Sequence, residues 1–325
     1  MLLLAFAVLP GGAQDSPYHV RVTDRVGGPG GHDYVYADVE GRNLYVPRMG
    51  DQGRISVYSL DTLDPVGVIP EVRAHGVAVS SRSGHGFASS KPVAMWDSAT
   101  LALIKTIDVQ GSPDGIVYDG FDNSVYVFSH ETPNLTKIDA ESGTVVGTLD
   151  LGGAPEQAVS DGKGSLYVDL EDKDVVAKVD AASLQVVARF GLQGKGGTCA
   201  GLAMDKVNQI LFVACRNPQT MVILNALGGE ILGVLPIGNG CDGASFDPQT
   251  GEAFSSQRDG TLSVIREDSP TSFRLEQTVV TMKGARTHTL DTKTDHLFLI
   301  GATPGLLPRT DVPDSFAIVE VGKGP

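Results

Sequence analysis

Six charged or titratable residues recur along the chain at nearly regular positions. They are Asp33, His75, Asp114, Glu156, Asp242 and Arg286, and with Ala200 as a seventh, apolar position the intervals are 39 to 44 residues. Four carboxylates held close together repel one another and raise each other's pKa. A bound divalent cation compensates such a cluster, so we expect a metal site if the fold brings these residues together.

The type of donor decides which ion would fit this site. Carboxylate oxygens favour Ca²⁺ or Mg²⁺, which are the ions we expect, whereas imidazole nitrogens would favour zinc or copper. His288 follows Arg286 by two residues and would point the same way one layer deeper on a strand. A copper redox site formed by His32, His75 and His288 is a further alternative. The interpretation without a metal is a hydrated channel whose carboxylates pair with Arg286, backbone amides and water.

The recurring positions begin the copies of a repeated block of sequence. The clearest copies start at Pro113 and Pro155. Each contains four predicted short strands with turns between them, preceded by a polar or glycine-rich segment. A spacing of about 42 residues is typical of a four-stranded propeller blade, and seven starts predict seven blades. We therefore expect an all-β, seven-bladed β-propeller with four-stranded antiparallel blades, in one domain over residues 17–325.

The last block is one strand short. After Arg286 the chain has candidate strands at residues 287–291, 296–300 and 316–321, with the Pro- and Gly-containing residues 303–313 as a loop. Residues 18–25 (YHVRVTDR) precede the first block and alternate as a strand does. We expect this N-terminal strand to complete blade seven and so to remove an open sheet edge.

The seven recurring positions and the ends of the second strands should share one face of the propeller, because the first two strands of a blade run antiparallel. The recurring positions form the inner ring of this face, and the second-strand ends form an outer rim with four cations: Arg48, Lys91, Arg216 and Arg258. A metal and a cationic rim together suit an anionic or lactone ligand. His130 is the candidate acid or base and Arg286 the candidate for polarising a substrate; the alternative is a solvated face whose charges balance.

A family resemblance rests on short motifs within the blades. The strand pairs Tyr126-Val127 and Tyr167-Val168, the turn at residues 139–144 (DAESGT) and the proline before the first strand resemble the YVTN-type propeller repeat. The resemblance extends over about residues 17–325 and is strongest in blades three to five, while blade two departs most, with Ser89-Ser90-Lys91. It implies a propeller similar in architecture to YncE-like and lactonase-like proteins, and it leaves the function open.

An export signal is predicted at residues 1–13. An apolar run over residues 1–9 is followed by Gly11-Gly12-Ala13, small residues that a signal peptidase accepts. This run is too short to cross a bilayer, and no later segment approaches 18 apolar residues, so we expect no membrane span. The expected location is the periplasm or the extracellular space.

Three cysteines, Cys199, Cys215 and Cys241, allow one disulfide bond. Cys199 precedes the first strand of blade five and Cys215 ends its second strand, so antiparallel pairing brings them together. We favour the pair Cys199 and Cys215, with Cys199 and Cys241 as the alternative.

Charge and missing motifs narrow the classes of function. The formal net charge of −14 disfavours nucleic acid as a partner. The chain has no G-x-S-x-G motif, no phosphate-binding loop and no H-E-x-x-H motif. The leading interpretation is a monomeric, exported binding or scaffold protein that takes a small-molecule or protein ligand at the channel mouth. The alternatives are a metal-assisted hydrolase or lyase of lactone type and a copper-binding redox protein.

Overall fold

The computed structural model describes residues 18–307 and 310–324. These residues form 28 strands and no helix, so nothing in them could cross a membrane as a helix. The strands make seven four-stranded antiparallel sheets, which confirms the predicted all-β, seven-bladed propeller. The predicted export signal at residues 1–13 lies outside the described residues.

The strands of each blade follow one another from the channel outward. Blade one contains β2 (Tyr36–Asp38), β3 (Asn43–Arg48), β4 (Arg54–Ser59) and β5 (Pro65–Pro70). Blade two contains β6 (Val77–Ser80), β7 (His85–Ala88), β8 (Val93–Asp97) and β9 (Leu103–Ile107). Blade three contains β10 (Pro113–Asp119), β11 (Ser124–Ser129), β12 (Leu135–Asp139) and β13 (Val145–Leu149). Blade four contains β14 (Pro155–Ser160), β15 (Ser165–Leu170), β16 (Val175–Asp180) and β17 (Gln185–Gly191). Blade five contains β18 (Cys199–Asp205), β19 (Ile210–Arg216), β20 (Gln219–Asn225) and β21 (Ile231–Pro236). Blade six contains β22 (Cys241–Asp247), β23 (Glu252–Gln257), β24 (Thr261–Ser269) and β25 (Ser272–Val280). Blade seven contains β26 (Thr287–Asp291), β27 (His296–Gly301) and β28 (Ala317–Lys323), with the N-terminal β1 (Tyr18–Asp24) as its outermost strand.

Aspartates set the turn between the first and second strands of most blades. The Asp119 carboxylate accepts a hydrogen bond from the backbone N–H of Phe121 at 3.0 Å, and Asp247 does the same with Gln249 at 2.8 Å. The same contact two residues ahead recurs at Asp161, Asp205 and Asp291. An aspartate that binds its own backbone two residues ahead mimics a backbone turn, which reverses the chain at these points.

An aromatic residue near the middle of each second strand packs between the blades. These residues are at most 1% exposed: Tyr45, Phe87, Tyr126, Tyr167, Phe212, Phe254 and Phe298. The core consists of seven apolar clusters, each shared by two neighbouring blades. Each blade therefore buries both faces of its sheet against its neighbours, and the clusters run round the whole ring.

The N-terminal strand closes the ring as predicted. β1 pairs antiparallel with β28, so that Tyr18 lies opposite Lys323 and Asp24 opposite Ile318. The strands observed in blade seven agree with the predicted ones to within two residues at each end. Residues 303–313 connect β27 to β28 as a loop, in which Pro304 and Asp311 form an isolated bridge.

Candidate functional site

Bulges at the start of the first strands of blades three to six redirect the ring residues of those blades. The pairing register shifts between Pro113 and Ile116 in β10 and between Pro155 and Ala158 in β14. The same irregularity occurs at the start of β18 and β22. A bulge inserts one extra residue into a strand and redirects a side chain, and here the redirected residues include Asp114 and Glu156.

The acidic half of the ring is a continuous chain of carboxylates and imidazoles. Nδ1 of His75 lies 2.7 Å from Oδ2 of Asp33 and 3.2 Å from Oδ1 of Asp114. Nε2 of His130 lies 3.2 Å from Oδ2 of Asp114 and 3.9 Å from Oε1 of Glu156. The two imidazoles are 40% exposed, whereas the three carboxylates are 12 to 18% exposed. The solvent side of this chain is therefore formed by the histidines.

The other half of the ring is held by arginines. Nε of Arg286 lies 2.6 Å from Oδ2 of Asp242, and its Nη2 lies 3.5 Å from Oδ1 of Asp33. Arg216 forms an ion pair with Asp242 and a second one with Glu171 at 3.2 Å. Of the four predicted carboxylates, Asp242 is thus neutralised by two arginines, and the other three share two histidines, with Asp33 also next to Arg286.

Burial is the largest effect on the carboxyl groups of the acidic half. Burial, followed by repulsion from Asp33, raises the pKa of Asp114 to about 6. Burial, followed by repulsion from Asp114, also raises the pKa of Glu156. The hydrogen bond to Asp33 raises the pKa of His75 above its usual value. This half of the ring therefore carries like-charge repulsion that a cation would relieve.

Two groups of three residues have the spacing of metal ligands within the described residues. They are Asp33, His75 and Asp114, and Asp114, His130 and Glu156, and the ligand atoms of each group lie within 4.8 Å of one another. Five of the residues predicted from the sequence are thus brought together. His130, predicted as an acid or base on the rim, lies among the candidate ligands.

His288 lies apart from this cluster, although the sequence predicted it as a ligand. Its Nε2 lies 2.8 Å from Oγ of Ser245 and its Nδ1 lies 2.8 Å from Oγ of Ser256, so both nitrogens are occupied. His32 packs its ring against Phe316, with the centroids 5.2 Å apart. The three histidines of the proposed copper site therefore do not form a ligand group among the described residues.

The four rim cations have different surroundings. Arg48 is 2% exposed, stacks on Phe316 at 3.5 Å and donates to the carbonyls of residues 27–30, so it is not a rim residue. Arg48 turns away from the rim because the glycine-rich loop at residues 27–30 offers several carbonyl oxygens to its guanidinium group. Lys91 is exposed and donates to the carbonyl of Gly111. The side chain of Arg258 is exposed and has no hydrogen bond or ion pair within the described residues, and its pKa is lowered by burial and then by repulsion from Arg286.

Two channel residues were missed by the sequence reasoning. Tyr34 donates a hydrogen bond to Oε2 of Glu156 at 3.2 Å. Gln157 accepts from the backbone N–H groups of Leu202 at 2.9 Å and Ala244 at 3.0 Å, which links three first strands. Both follow a ring residue directly, at a position that is glycine in four blades: Gly76, Gly115, Gly201 and Gly243. When the seven blades are aligned, a large residue at a position that is usually glycine is the sequence feature that could have identified Tyr34 and Gln157.

A cavity of about 330 Å³ occupies the channel beyond the ring. Tyr34, Glu156 and Gln157 line it on one side, and Ser245 and His288 line it on another. The hydrogen bond between Tyr34 and Glu156 therefore lies between the ring and this cavity.

The structure contains a disulfide bond between Cys199 and Cys215, the pairing predicted from the sequence. The two residues are directly opposite each other in the pairing of β18 with β19. Cys241 is a free, buried cysteine. The disulfide joins the two strands that carry Ala200 and Arg216, so it supports the mouth end of blade five.

Comparisons with known proteins identify the fold of this chain but do not assign it to a family. No protein-family model matches the chain, and no curated protein matches it. The structure of U3-55K is similar, with 12% sequence identity over 94% of this chain and 99% of that chain and a TM-score of 0.76. The RRP9 WD40 repeats give 11% identity over 94% and 98% of the two chains and a TM-score of 0.73.

A chain from the mitotic checkpoint complex gives 12% identity over 98% of both chains and a TM-score of 0.75. The fold is a seven-bladed β-propeller. At these identities the likeness extends to the fold alone, because one propeller architecture supports many unrelated functions. The resemblance to the YVTN-type repeat stays a prediction.

Proposed function

We propose that the protein is an exported binding protein that holds a divalent metal ion in the acidic half of its channel mouth and takes a ligand there. The observation that carries the proposal is the position of His75 and His130 on either side of Asp114, with Asp33 and Glu156 at the ends. A hydrated polar channel would need only charge balance, which Arg216 and Arg286 already supply for Asp242. In the acidic half, Asp33 shares Arg286 at 3.5 Å, whereas Asp114 and Glu156 form no ion pair with an arginine or lysine within the described residues.

The donor set also bears on the identity of the ion. The sequence favoured Ca²⁺ or Mg²⁺ because carboxylates dominate the recurring positions. In the cluster, each group of three donors contains one imidazole nitrogen and two carboxylate oxygens. Imidazole with carboxylate suits Zn²⁺ or Mn²⁺ better than Ca²⁺. We therefore propose a transition ion at this site.

The ligand that best fits this mouth is a small anion. The side chain of Arg258 has no hydrogen bond or ion pair within the described residues, and burial, followed by repulsion from Arg286, lowers its pKa. An exposed guanidinium on the same mouth as a metal site favours carboxylate or phosphate groups. A protein ligand is the competing occupant, since one similar propeller comes from the mitotic checkpoint complex.

Export is supported by the disulfide between Cys199 and Cys215, because such bonds persist in oxidising compartments. It agrees with the signal predicted at residues 1–13. The periplasm or the extracellular space is therefore the proposed location.

The proposal is tested by elemental mass spectrometry on the full chain, exported to a periplasm and purified without chelator or affinity metal. We expect a bound divalent transition ion, which the double variant His75→Ala with His130→Ala loses. His19→Ala is the matched control, because His19 is exposed on β1, the outermost strand of blade seven. A chelator-treated protein that binds neither Zn²⁺, Mn²⁺ nor Ca²⁺ more tightly than the double variant would refute the proposal.

A metal-assisted hydrolase of lactones or esters is the second candidate. It is favoured by the free guanidinium of Arg258, which is available to a substrate, whereas Arg286 is engaged by Asp242 and Asp33. The test is turnover of a lactone panel and of p-nitrophenyl acetate by the Zn²⁺-loaded or Mn²⁺-loaded protein. Asp114→Asn should abolish turnover and His19→Ala should keep it; equal rates for both variants would reject the candidate.

A further inference from the structure

The acidic half of the ring is nearly symmetric about Asp114. Each of its two carboxylate oxygens lies 3.2 Å from a different imidazole nitrogen, Oδ1 from His75 and Oδ2 from His130. Each imidazole in turn lies next to a second carboxylate, Asp33 on one side and Glu156 on the other. The order of groups is therefore carboxylate, imidazole, carboxylate, imidazole, carboxylate.

The spacing divides these donors into two sets. Donor atoms around a single zinc ion, at about 2.1 Å from it, lie at most about 4.2 Å apart. Each group of three has its ligand atoms within 4.8 Å, which small side-chain movements bring to that limit, and Asp114 belongs to both groups. His75 and His130 do not occur in one group, so one ion cannot collect all five donors without a larger change.

One oxygen of the shared carboxylate is available for a ligand. Oδ1 of Asp114 is buried and accepts no hydrogen bond within the described residues; Nδ1 of His75 lies 3.2 Å away but is hydrogen-bonded to Asp33. A buried carboxylate oxygen that accepts no hydrogen bond is costly unless a cation or a donor reaches it. The next residue, Gly115, comes so close to blade four that an added Cβ would lie 2.6 Å from the carbonyl oxygen of Glu156. The backbones that carry the two carboxylates are therefore held close together.

Two ions would make the net charge of the cluster positive. The carboxylates of Asp33, Asp114 and Glu156 carry three formal negative charges, and Arg286 already lies 3.5 Å from Asp33, so a second divalent ion leaves a positive excess at the mouth. That excess suits a bound oxyanion or hydroxide on the solvent side, where the two imidazoles are 40% exposed. In such centres a carboxylate bridges two metals about 3.5 to 4 Å apart.

We propose that the channel mouth holds a pair of divalent transition ions bridged by Asp114, one with Asp33 and His75 and the other with His130 and Glu156. This inference rests on the proposed metal-binding function and adds the number of ions and the role of each ligand. The open side of the pair takes a small oxyanion, a carboxylate or a phosphate.

The experiment counts the ions. The full chain is stripped with chelator and titrated with Zn²⁺ in a calorimeter, with elemental analysis of the loaded protein. We expect two equivalents for the natural sequence and for His19→Ala, and one equivalent each for His75→Ala and His130→Ala. Asp114→Asn should weaken binding at both sites by tenfold or more, because it removes the bridge. Circular dichroism and thermal unfolding of each stripped variant establish that it is folded.

Loading with Mn²⁺ gives an independent measurement by electron paramagnetic resonance. A bridged pair gives a spin-coupled signal in the natural sequence and an uncoupled signal in the two single histidine variants. One equivalent of Zn²⁺, lost in either variant, would overturn the paired site while leaving the single-ion function standing. No binding of Zn²⁺ or Mn²⁺ would refute both proposals.

Discussion

Two histidines of the channel have opposite electrostatic surroundings. The pKa of His75 is raised because Asp33 accepts its hydrogen bond, whereas burial lowers the pKa of His288 to about 3. Oγ of Ser256 donates to the carbonyl of Arg286 at 2.6 Å, so it must accept a hydrogen bond from Nδ1 of His288. The imidazole of His288 is therefore neutral, with the lone pair of Nε2 directed at Ser245.

The neutral state of His288 predicts a loss of stability in mild acid. A histidine in an unfolded chain has a pKa near 6.5. Below that pH the unfolded chain therefore binds a proton at His288 that the folded chain does not bind. We expect the free energy of unfolding to fall by up to about 3 kcal/mol between pH 6.5 and 4 from this group. Urea unfolding at pH 7, 5.5 and 4 measures it, and His288→Gln should flatten the profile. Parallel profiles for the variant and the natural sequence would contradict the prediction. His75 contributes with the opposite sign, since its stabilising charge is present below pH 6.5 and is lost as the pH rises through its raised pKa.

At the scale of the strands, the channel depends on close approach between the first strands of neighbouring blades. β18 and β22 come together at Gly201, where an added Cβ would lie 2.9 Å from the carbonyl carbon of Gly243 and 3.0 Å from the nitrogen of Ala244. These contacts are to backbone atoms, which cannot turn away as a side chain does.

We expect Gly201→Ala to lower the free energy of unfolding by about 1 to 3 kcal/mol through overpacking. Gly191→Ala is the matched control, because an added Cβ at Gly191 meets no atom within 4 Å. That control should be neutral or slightly stabilising. Chemical denaturation of both variants makes the comparison, and an equal effect of the two would count against close packing at the channel.

The disulfide of blade five also acts at the scale of strands. It joins residues separated by 16 positions, and closing a loop of about that length stabilises a fold by about 2 to 4 kcal/mol. The double variant Cys199→Ala with Cys215→Ala should lose that amount. Thermal unfolding with and without a reductant is the measurement: reductant should lower the melting temperature of the natural sequence and leave the variant unchanged. A natural sequence that is insensitive to reductant would contradict the prediction.

At the scale of the whole molecule, the propeller is held as a ring by β1. Tyr18 is 1% exposed, and its hydroxyl donates to Oε2 of Glu252 in blade six at 2.6 Å. Glu252 also forms ion pairs with Arg266 at 2.7 Å and with Lys323 of β28 at 2.9 Å. The closing strand is therefore tied both to its own blade and to the preceding one.

Tyr18→Ala should cost about 3 to 5 kcal/mol, because it removes a buried ring and leaves Glu252 without one of its donors. Loosening β1 also exposes the edge of β28, so we expect self-association on warming. Val22→Ala on the same strand, where Val22 is 42% exposed, should have little effect. Thermal unfolding and size-exclusion chromatography test this, and similar behaviour of the two variants would show that closure does not limit stability.

The propeller could be predicted because its signals are local and repeated. Alternating strands, turn aspartates such as Asp119 and Asp247, and a nearly constant period each act within one blade, and seven copies reinforce one another. The closure by β1 followed from counting strands in blade seven. The pairing of Cys199 with Cys215 followed from antiparallel geometry within one hairpin.

The site was predicted only in part, because its contacts are made between blades. The recurring positions included Asp33, His75, Asp114 and Glu156, which lie next to one another or share a histidine neighbour in the structure. Arg48, at the end of a second strand, and His288, two residues after Arg286, were also predicted to face the mouth, but their side chains bind a loop and two serines instead.

The sequence by itself determined the class of fold, the number of blades, the closing strand and the one position in each blade that begins its first strand or precedes it. Only the tertiary structure decided that Asp242 is neutralised by arginines while Asp114 lies between two histidines, and that Tyr34 and Gln157 fill the channel. The physical reason is range: strands and turns form from neighbours in the chain, whereas partners across a channel depend on the bulges and on the spacing of all seven blades.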